Sequence, residues 1–582
     1  MEGVGPMNSG KITPRGLIPA FLILLAAGYV FAPAVHGGWL WDDDQEVTRN
    51  PVLAEPAGLA KIWSGSAGAD YFPLKTTVQW VGWRLWGANP AGYHALSILL
   101  HVTSAFLFWR LLAKLGLRAA WVGGLLFVVH PLAVESVAWA AELKNTLSLP
   151  LLLLAMIAYV DFDQKGSGRG IANPAAGFRN LRPDPFYSLS LALFLLAMLA
   201  KSSVVMFPVV ILLHAWWRRG RIGAADVRAS IPFFAVSAGL GLVTFWFQHH
   251  RAMQSDLVLA GGPLSRMACA GLALAFYLGK SVFPFALSPI YPRWEIDPPS
   301  LAQMAPWPVF AILIGWLWSG RAGWGRHVLF GLGFFAINLL PVAGLVTISY
   351  MHVTWVADHF AYLPLLGVIG LAVAGLGRCA SQPMLWVLAL LVGAGLAWQS
   401  RAYAAVFRDE DALWTYTLRR NPDAWAAHYN LATYLAHRGE WERSASEYTE
   451  TLRLRPAFFE ARVNFGNVLA YEGRPAEAAA QYEEALRLNP AYADARVGLG
   501  NLLARAHRLP EAIAEYAEAL RLRPDYAEVR TNLGNALFIA GRTEEAIVQY
   551  EEALRQKPGD LRTQRSLEVA RQALRGDGAE PR

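Results

Sequence analysis

The sequence predicts an all-α protein in two parts: a polytopic transmembrane helical domain of about eleven spans, then an α-solenoid of short repeats. Three observations predict it. Of 582 residues, 55% are hydrophobic and only 16% are charged, whereas soluble chains carry about a quarter charged residues. Apolar runs of membrane-helix length recur before residue 402. After it, charged residues return at helical spacing and prolines recur every 34 residues.

This composition excludes a disordered chain, a disulfide scaffold and an ordinary soluble enzyme. The two cysteines, Cys269 and Cys379, are far apart and cannot build a Cys-rich metal site. No zinc, haem, nucleotide or nucleic-acid motif is found, so no metal, resident cofactor or nucleic-acid partner is expected. The 23 Trp and 20 Tyr suit membrane interfaces. The net charge of +7 reads as anchoring charge in loops plus a few cations at a phosphate site.

The expected spans are 16–35, 93–113, 119–138, 143–160, 187–200, 203–217, 231–248, 306–320, 327–347, 360–377 and 384–400. A further apolar stretch, 265–287, either spans or is re-entrant. Lys and Arg in short loops set the orientation. Lys11 and Arg15 place the N-terminus inside. Strict alternation then puts Lys114 and Arg118 inside, with the 161–186 loop (Lys165, Arg169, Arg179, Arg182) and Arg218, Arg219 and Arg221. If 265–287 does not cross, Arg321, Arg326 and Arg378 are inside as well. The expected topology therefore has eleven spans, a cytoplasmic N-terminus and extracytoplasmic repeats. The first span is read as a membrane helix and not as a cleaved signal peptide.

In the C-terminal part Pro422, Pro456, Pro490, Pro524 and Pro558 keep a 34-residue step, as do Tyr448, Tyr482, Tyr516 and Tyr550. Gly466, Gly500 and Gly534 keep it too, with Ala478, Ala512 and Ala546 where two helices touch. This is the tetratricopeptide signature. It gives domains at 1–402 (membrane), 403–424 (connecting helix), 425–560 (four repeats) and 561–582 (capping helix and disordered tail). Two Asn series fall on the first helix of each repeat: Asn430, Asn464 and Asn532, and Asn467, Asn501 and Asn535. An amide both donates and accepts, so such a ladder suits an extended peptide backbone. The alternative is that these Asn residues serve local packing.

Charges beside the hydrocarbon are costly, so each one is a functional candidate. They are Asp42, Asp43 and Asp44 after the first span; His94 and His101; His130, Glu135, Glu142 and Lys144; Lys201; Lys280; Tyr291, Arg293 and Trp294; and Asp358 and His359. In the eleven-span topology nearly all lie at the outer face. Adjacent carboxylates Asp42 and Asp43 supply a general base and an acceptor. Lys144, Lys201 and Arg293 suit a clamp on a phosphate that leaves with growing charge. This combination beside lipid fits glycosyl transfer from a lipid-linked sugar phosphate, with inversion. Taken singly, the Asp run also reads as a helix N-cap, and Lys201 as a snorkelling lysine.

The chain resembles multi-pass GT-C glycosyltransferases joined to tetratricopeptide arrays, above all the transmembrane O-mannosyltransferases that act on cadherins and their bacterial relatives. The resemblance runs through Trp41-Asp42-Asp43-Asp44 with Arg49-Asn50-Pro51, Tyr71-Phe72-Pro73-Leu74, Asn89-Pro90-Ala91-Gly92-Tyr93-His94 and His130-Pro131 to Trp139. It continues in Ala200-Lys201-Ser202, Tyr291-Pro292-Arg293-Trp294 and Ala357-Asp358-His359-Phe360. It implies a GT-C-like membrane domain in a bacterial inner membrane, a polyprenyl-phosphate sugar donor, often mannose, and no metal. It also implies Asp42 as base, Asp43 as the residue placing donor or acceptor, and a protein acceptor brought by the repeats. Glu142-Leu143-Lys144-Asn145 departs from the family, which often carries an Arg before the final polar residues of this segment; Lys144 is the substitute, without the bidentate fork of Arg. Two other readings stay open: a transferase acting on envelope glycan or lipid whose repeats bind an assembly partner, and a non-enzymatic membrane scaffold.

Overall fold

The structure, a computed structural model, describes residues 14–66, 68, 70–168, 184–252 and 261–576. Lys11, Arg169, Arg179, Arg182 and residues 577–582 lie outside the described residues. The described chain is helical, with no strand among the described residues. Two compact units divide it at Pro422 and Asp423.

In the first unit, each of the eleven expected apolar segments contains helix. Among the described residues, however, only seven helices are both long and apolar enough to cross a membrane: Gly16–Val35, Pro90–Lys114, Ala140–Lys165, Ala224–Arg251, Leu301–Ser319, Trp324–Val342 and Gln382–Arg408. An eighth span results if Ala120–Val128 and Pro131–Ala138, bent by 57°, count together. The remaining three segments form helices of 16, 13 and 15 residues, Pro185–Ala200, Phe207–Arg219 and Leu365–Cys379. At about 1.5 Å per residue these fall short of the hydrocarbon thickness of about 30 Å. The 265–287 stretch forms the helix Pro263–Val282, which is not among the seven. Several spans present large apolar side chains outward, such as Phe21, Leu25, Ile312 and Trp398. That is what a helix solvated by lipid requires.

Several of the motifs that carry the resemblance are helix starts. Asn50 and Asn89 cap helices whose first residue is proline, each accepting a backbone N–H at its Oδ1. Pro73 opens the helix Pro73–Trp86, and His130 caps the turn beginning at Pro131. Each proline sits where its missing N–H has no intrahelical partner to lose.

The second unit is a run of helix pairs, from Trp425–His437 with Trp441–Leu454 to Ala527–Ile539 with Thr543–Gln556, followed by the helix Leu561–Gly576. Each second helix inserts a buried Tyr against the first. A Cβ added at Gly466, Gly500 or Gly534 would meet the ring of Tyr482, Tyr516 or Tyr550 at 2.6, 2.7 and 2.6 Å. The repeating glycine is therefore a close-approach requirement. The first unit ends in the helix Glu410–Arg420, whose Trp414 lies 34 residues before Tyr448 and is fully buried. This connecting helix thus keeps the phase of a repeat's second helix.

Candidate active site

The segment after the first span makes a tight turn. Trp41 adopts φ +45°, a left-handed conformation that strains a bulky residue. Its indole stacks on Trp139 at 5.2 Å, and Trp414 packs edge-on at 5.2 Å. Its N–H donates to Glu410 Oε1 at 3.2 Å. Burial raises the Glu410 carboxyl to about 7, although the Trp41 N–H opposes this.

The turn separates the two expected catalytic acids. Asp43 is fully buried, and its oxygens accept the N–H groups of Leu40 (2.9 Å) and Ala141 (2.6 Å). It ties the turn to the start of the helix Leu143–Gly168. Burial pushes its carboxyl well above the usual range, against those two hydrogen bonds. Asp42 is half-buried, and no hydrogen bond to its carboxylate is found among the described residues. Burial raises it to about 6; Lys144 pulls it down, while Glu46 and Glu142 push it up. Asp44 is held by Thr48 (2.6 Å) and Arg49 (3.2 Å).

Beside Asp42 lies a network of opposite charges. Glu142 is buried and accepts from Lys144 Nζ at 2.9 Å. Asn145 donates to the other oxygen of Glu142 and accepts from Lys201 Nζ at 2.5 Å. Lys201 Nζ is also 3.8 Å from Glu142. Lys144 is the more open lysine, with 23% of its side chain exposed against 11% for Lys201.

Three residues that the sequence reading passed over join this network. Lys75 is buried and pairs with Glu46. Asp70 accepts from Gln248, and its carboxyl is raised chiefly by burial, with Lys144 opposing. A signal for Lys75 existed, since it directly follows the Tyr71-Phe72-Pro73-Leu74 stretch.

A second cluster forms from residues remote in sequence. His359 Nδ1 lies 2.8 Å from Glu135 Oε1, and its N–H donates to Glu135 Oε2 at 3.2 Å. Asp358 accepts from the hydroxyls of Tyr291 (2.7 Å) and Tyr403 (2.9 Å). Trp139 and Tyr350 pack against His359, at 6.3 and 5.2 Å, and both also touch Trp41. The two clusters thus meet around Trp41.

Other expected residues have different surroundings. Arg293 lies over Trp355 at 4.7 Å and donates to the His352 carbonyl at 3.3 Å. Trp294 offers its carbonyl to Trp355 Nε1 at 3.1 Å. His130 bridges the Leu132 N–H and the Ser281 carbonyl. His94 is buried beside Gly37, and His101 bonds Tyr362 at 2.7 Å. Lys280 donates to the carbonyls of Phe285 and Ala286.

In the repeats, Tyr482, Tyr516 and Tyr550 donate to Asn467, Asn501 and Asn535 at 2.7, 2.7 and 2.8 Å. In the first pair Thr433 takes the place of Asn, 2.9 Å from the Tyr448 hydroxyl. Of the other series, Asn430 bonds the Ala426 carbonyl, Asn464 the Tyr429 hydroxyl and Asn532 the Asn501 carbonyl oxygen. The side-chain oxygens of Asn467, Asn501 and Asn535 therefore satisfy buried tyrosines.

Among the described residues no group of three or more His, Cys, Asp and Glu is arranged to hold a metal ion. The fold and these clusters define a polytopic α-helical membrane protein carrying a tetratricopeptide array. A tetratricopeptide repeat family profile matches residues 410–457, 463–527 and 505–560. Over both parts, the chain is similar to protein O-mannosyl-transferase TMTC4 of Mus musculus, at 24% identity over 499 residues, 73% of this chain and 65% of that protein. It is similar to TMTC1 of Homo sapiens at 24% over 514 residues, 77% of this chain and 56% of that protein. It is therefore similar to the TMTC proteins in both parts and carries tetratricopeptide repeats, and it spans less than two thirds of these relatives. The solved TPR protein YrrB, described as having an unusual peptide-binding site, covers 33% of the chain at 18% identity with a TM-score of 0.24.

Proposed function

We propose that the chain is an inverting membrane glycosyltransferase. It moves a hexose such as mannose from a polyprenyl-phosphate donor to a protein hydroxyl on the extracytoplasmic side. The observation that carries this reading is the Asp42 carboxylate, with no hydrogen bond to it among the described residues and set beside Lys144 in a half-buried polar site. The names of the relatives supply the reaction class.

Asp42 takes the proton of the acceptor hydroxyl. The acceptor oxygen bonds the anomeric carbon while the bond from that carbon to the phosphate oxygen breaks. The polyprenyl phosphate leaves with the electron pair, and Lys144, whose ammonium retains donors beyond the one given to Glu142, meets its charge. Asp43, Asn145 and Lys201 act as positioning residues. Their bonds hold the Asp42 turn to the start of the 143–168 helix, and Glu142 to both lysines. The repeats recruit the acceptor and raise its local concentration. Asn467, Asn501 and Asn535 keep their amide N–H₂ donors for a peptide while their oxygens hold tyrosines.

The test is reconstitution. The purified chain in liposomes receives labelled mannosyl polyprenyl phosphate and Ser/Thr peptides, and the peptides are weighed for an added hexose. Transfer that disappears in Asp42→Asn is the expected result. Full transfer by that variant overturns the base assignment, and no transfer from any polyprenyl-phosphate sugar by a folded chain overturns the reaction. A reporter fused after residue 402 that signals from the cytoplasm overturns the outward site.

A further inference from the structure

A cavity lies in the membrane unit, away from the acid cluster. It encloses about 680 Å³ and is lined mostly by apolar side chains, among them Phe108, Leu112, Met156, Phe334 and Leu371. That volume falls in the range of small-molecule and lipid-chain sites, about 300–1,000 Å³. The helix Leu143–Gly168 gives the separation: it starts beside Lys144 and reaches the cavity at Met156–Val160. At about 1.5 Å per residue that is about 18–24 Å along the helix.

The charged groups here, Arg118 and Arg378, are of one sign. Arg118, His327 and Arg378 line the cavity, and among the described residues no carboxylate does. Arg118 and Arg378 are exposed, and no ion pair to either is found among the described residues. His327 accepts from Trp217 Nε1 at its Nδ1 (2.9 Å), which leaves Nε2 as its donor. Deeper in, His214 is 94% buried and lines the cavity, yet among the described residues neither ring nitrogen has a hydrogen-bond partner. The nearest carboxylate oxygen, on Asp163, is 3.9 Å away, and Asp163 is already held by Arg218 and Arg219. A buried imidazole with no partner costs free energy unless a ligand supplies one.

We infer that this cavity is a binding site for an anionic phospholipid. The acyl chain fills the apolar lining. The phosphate meets Arg118 and Arg378, and the His214 N–H donates to an ester carbonyl of the glycerol backbone. The guanidinium forks suit a phosphate, and the absence of carboxylates from the lining favours an anionic over a zwitterionic headgroup. This site is independent of the transferase reading.

The full chain, purified in detergent, is titrated with phosphatidylglycerol, phosphatidylcholine, a polyprenyl phosphate or inorganic phosphate. Retained lipid is read by native mass spectrometry, and stability by thermal melting. Phosphatidylglycerol is expected to bind at least tenfold more tightly than phosphatidylcholine. The Arg118→Gln/Arg378→Gln double variant should remove that preference. Both positions are exposed and have no ion pair among the described residues, so the fold should survive the change. Gly370→Leu should displace the lipid while leaving the headgroup residues in place, because a Cβ there meets only Leu112, at 3.7 Å. Equal binding of the two phospholipids, or a double variant that keeps the preference, overturns the inference. So does protection by inorganic phosphate alone, or a polyprenyl phosphate that displaces phosphatidylglycerol at equal concentration.

Discussion

The two units handle charge in opposite ways. In the repeats, charges pair with near neighbours on the same helix surface: Arg487 with Glu484 and Arg521 with Glu518, each at 2.7 Å and three residues apart. The pattern recurs at the 34-residue period and each pair is mostly in water. In the candidate site of the membrane unit, charges are few and mostly buried, and they join across the sequence. Glu135 meets His359 224 residues on, Ala141 meets Asp43 98 residues back, and Lys201 meets Asn145 56 residues back. Redundant, solvated pairs tolerate loss, whereas a single buried network does not. Substitutions in both units test that contrast, the main ones taken in order of falling effect.

The largest effect is expected at Asp42. Asp42→Asn should lower transfer about 10²–10⁴-fold. In the unchanged enzyme, kcat/KM should fall about tenfold per pH unit below about 6, where burial holds this acid. Stability should move the other way. The folded chain binds the Asp42 proton more tightly than an unfolded one, so this group's contribution to stability falls as pH rises from the ordinary carboxylate range to about 6. At pH 7 the variant should therefore melt at a slightly higher temperature. Lost activity accompanied by lost stability would mark Asp42 as structural and break the distinction between it and Asp43.

Next is Glu142, which both lysines face. Glu142→Gln leaves two ammonium groups without their buried counter-charge, a loss of about 3–5 kcal/mol. Melting and detergent-solubilised yield should both drop sharply. A stable Glu142→Gln chain would show that the site is wetter than its burial implies and would erase the contrast with the repeats.

Much of this organisation was legible in the sequence, for physical reasons that differ by part. The repeats were readable because the same helix pair is packed over and over, so Tyr482, Tyr516 and Tyr550 and the glycines facing them return in phase. Even there, spacing alone could not say what the asparagines bond, since an inward-facing amide and one holding a tyrosine occupy the same register. Membrane character was readable from apolar runs, but the number of long spans was not. Runs such as 187–200 and 360–377 end in short helices, and hydropathy does not record where a helix breaks. Within the site, Asp42, Glu142, Lys144 and Lys201 stood out as charges beside lipid. Glu46 and Asp70 did not, because they lie in the charged stretch between two apolar runs, where one more charge carries no signal, and Lys75 was marked only by the motif it follows. Pairings such as Tyr403 with Asp358 depend on tertiary packing and leave no local pattern.

A middle-sized effect is expected inside the array, at the Tyr516 hydroxyl and Asn501. Asn501→Ala should cost about 1–3 kcal/mol, because it leaves a buried hydroxyl unpaired. Tyr516→Phe should cost less, and the double variant less than the sum of the two. Urea melts of the full chain that resolve the array's transition would measure the coupling. Additive losses would show that the two side chains are not bonded and would return Asn501 to the groove alone.

The smallest effect is expected at Arg487, the limiting case on the repeat side. Its side chain is 69% exposed, and Glu484, its partner at 2.7 Å, is three residues away on the same helix. An exposed pair of this spacing contributes about 0.3–0.5 kcal/mol, and salt screens it. Arg487→Ala should therefore shift the array's melting midpoint by less than the resolution of most scans, and half-molar salt should remove what difference there is. Lys201→Met offers the matched experiment in the membrane unit: also one cation lost, but a buried one that Asn145 and Glu142 both face. Salt should not change its cost, because counter-ions do not reach a buried pair. If Arg487→Ala proves as damaging as Lys201→Met, or if salt weakens both alike, burial is not what separates the two units, and the charges of the membrane part lose their claim to be a built site.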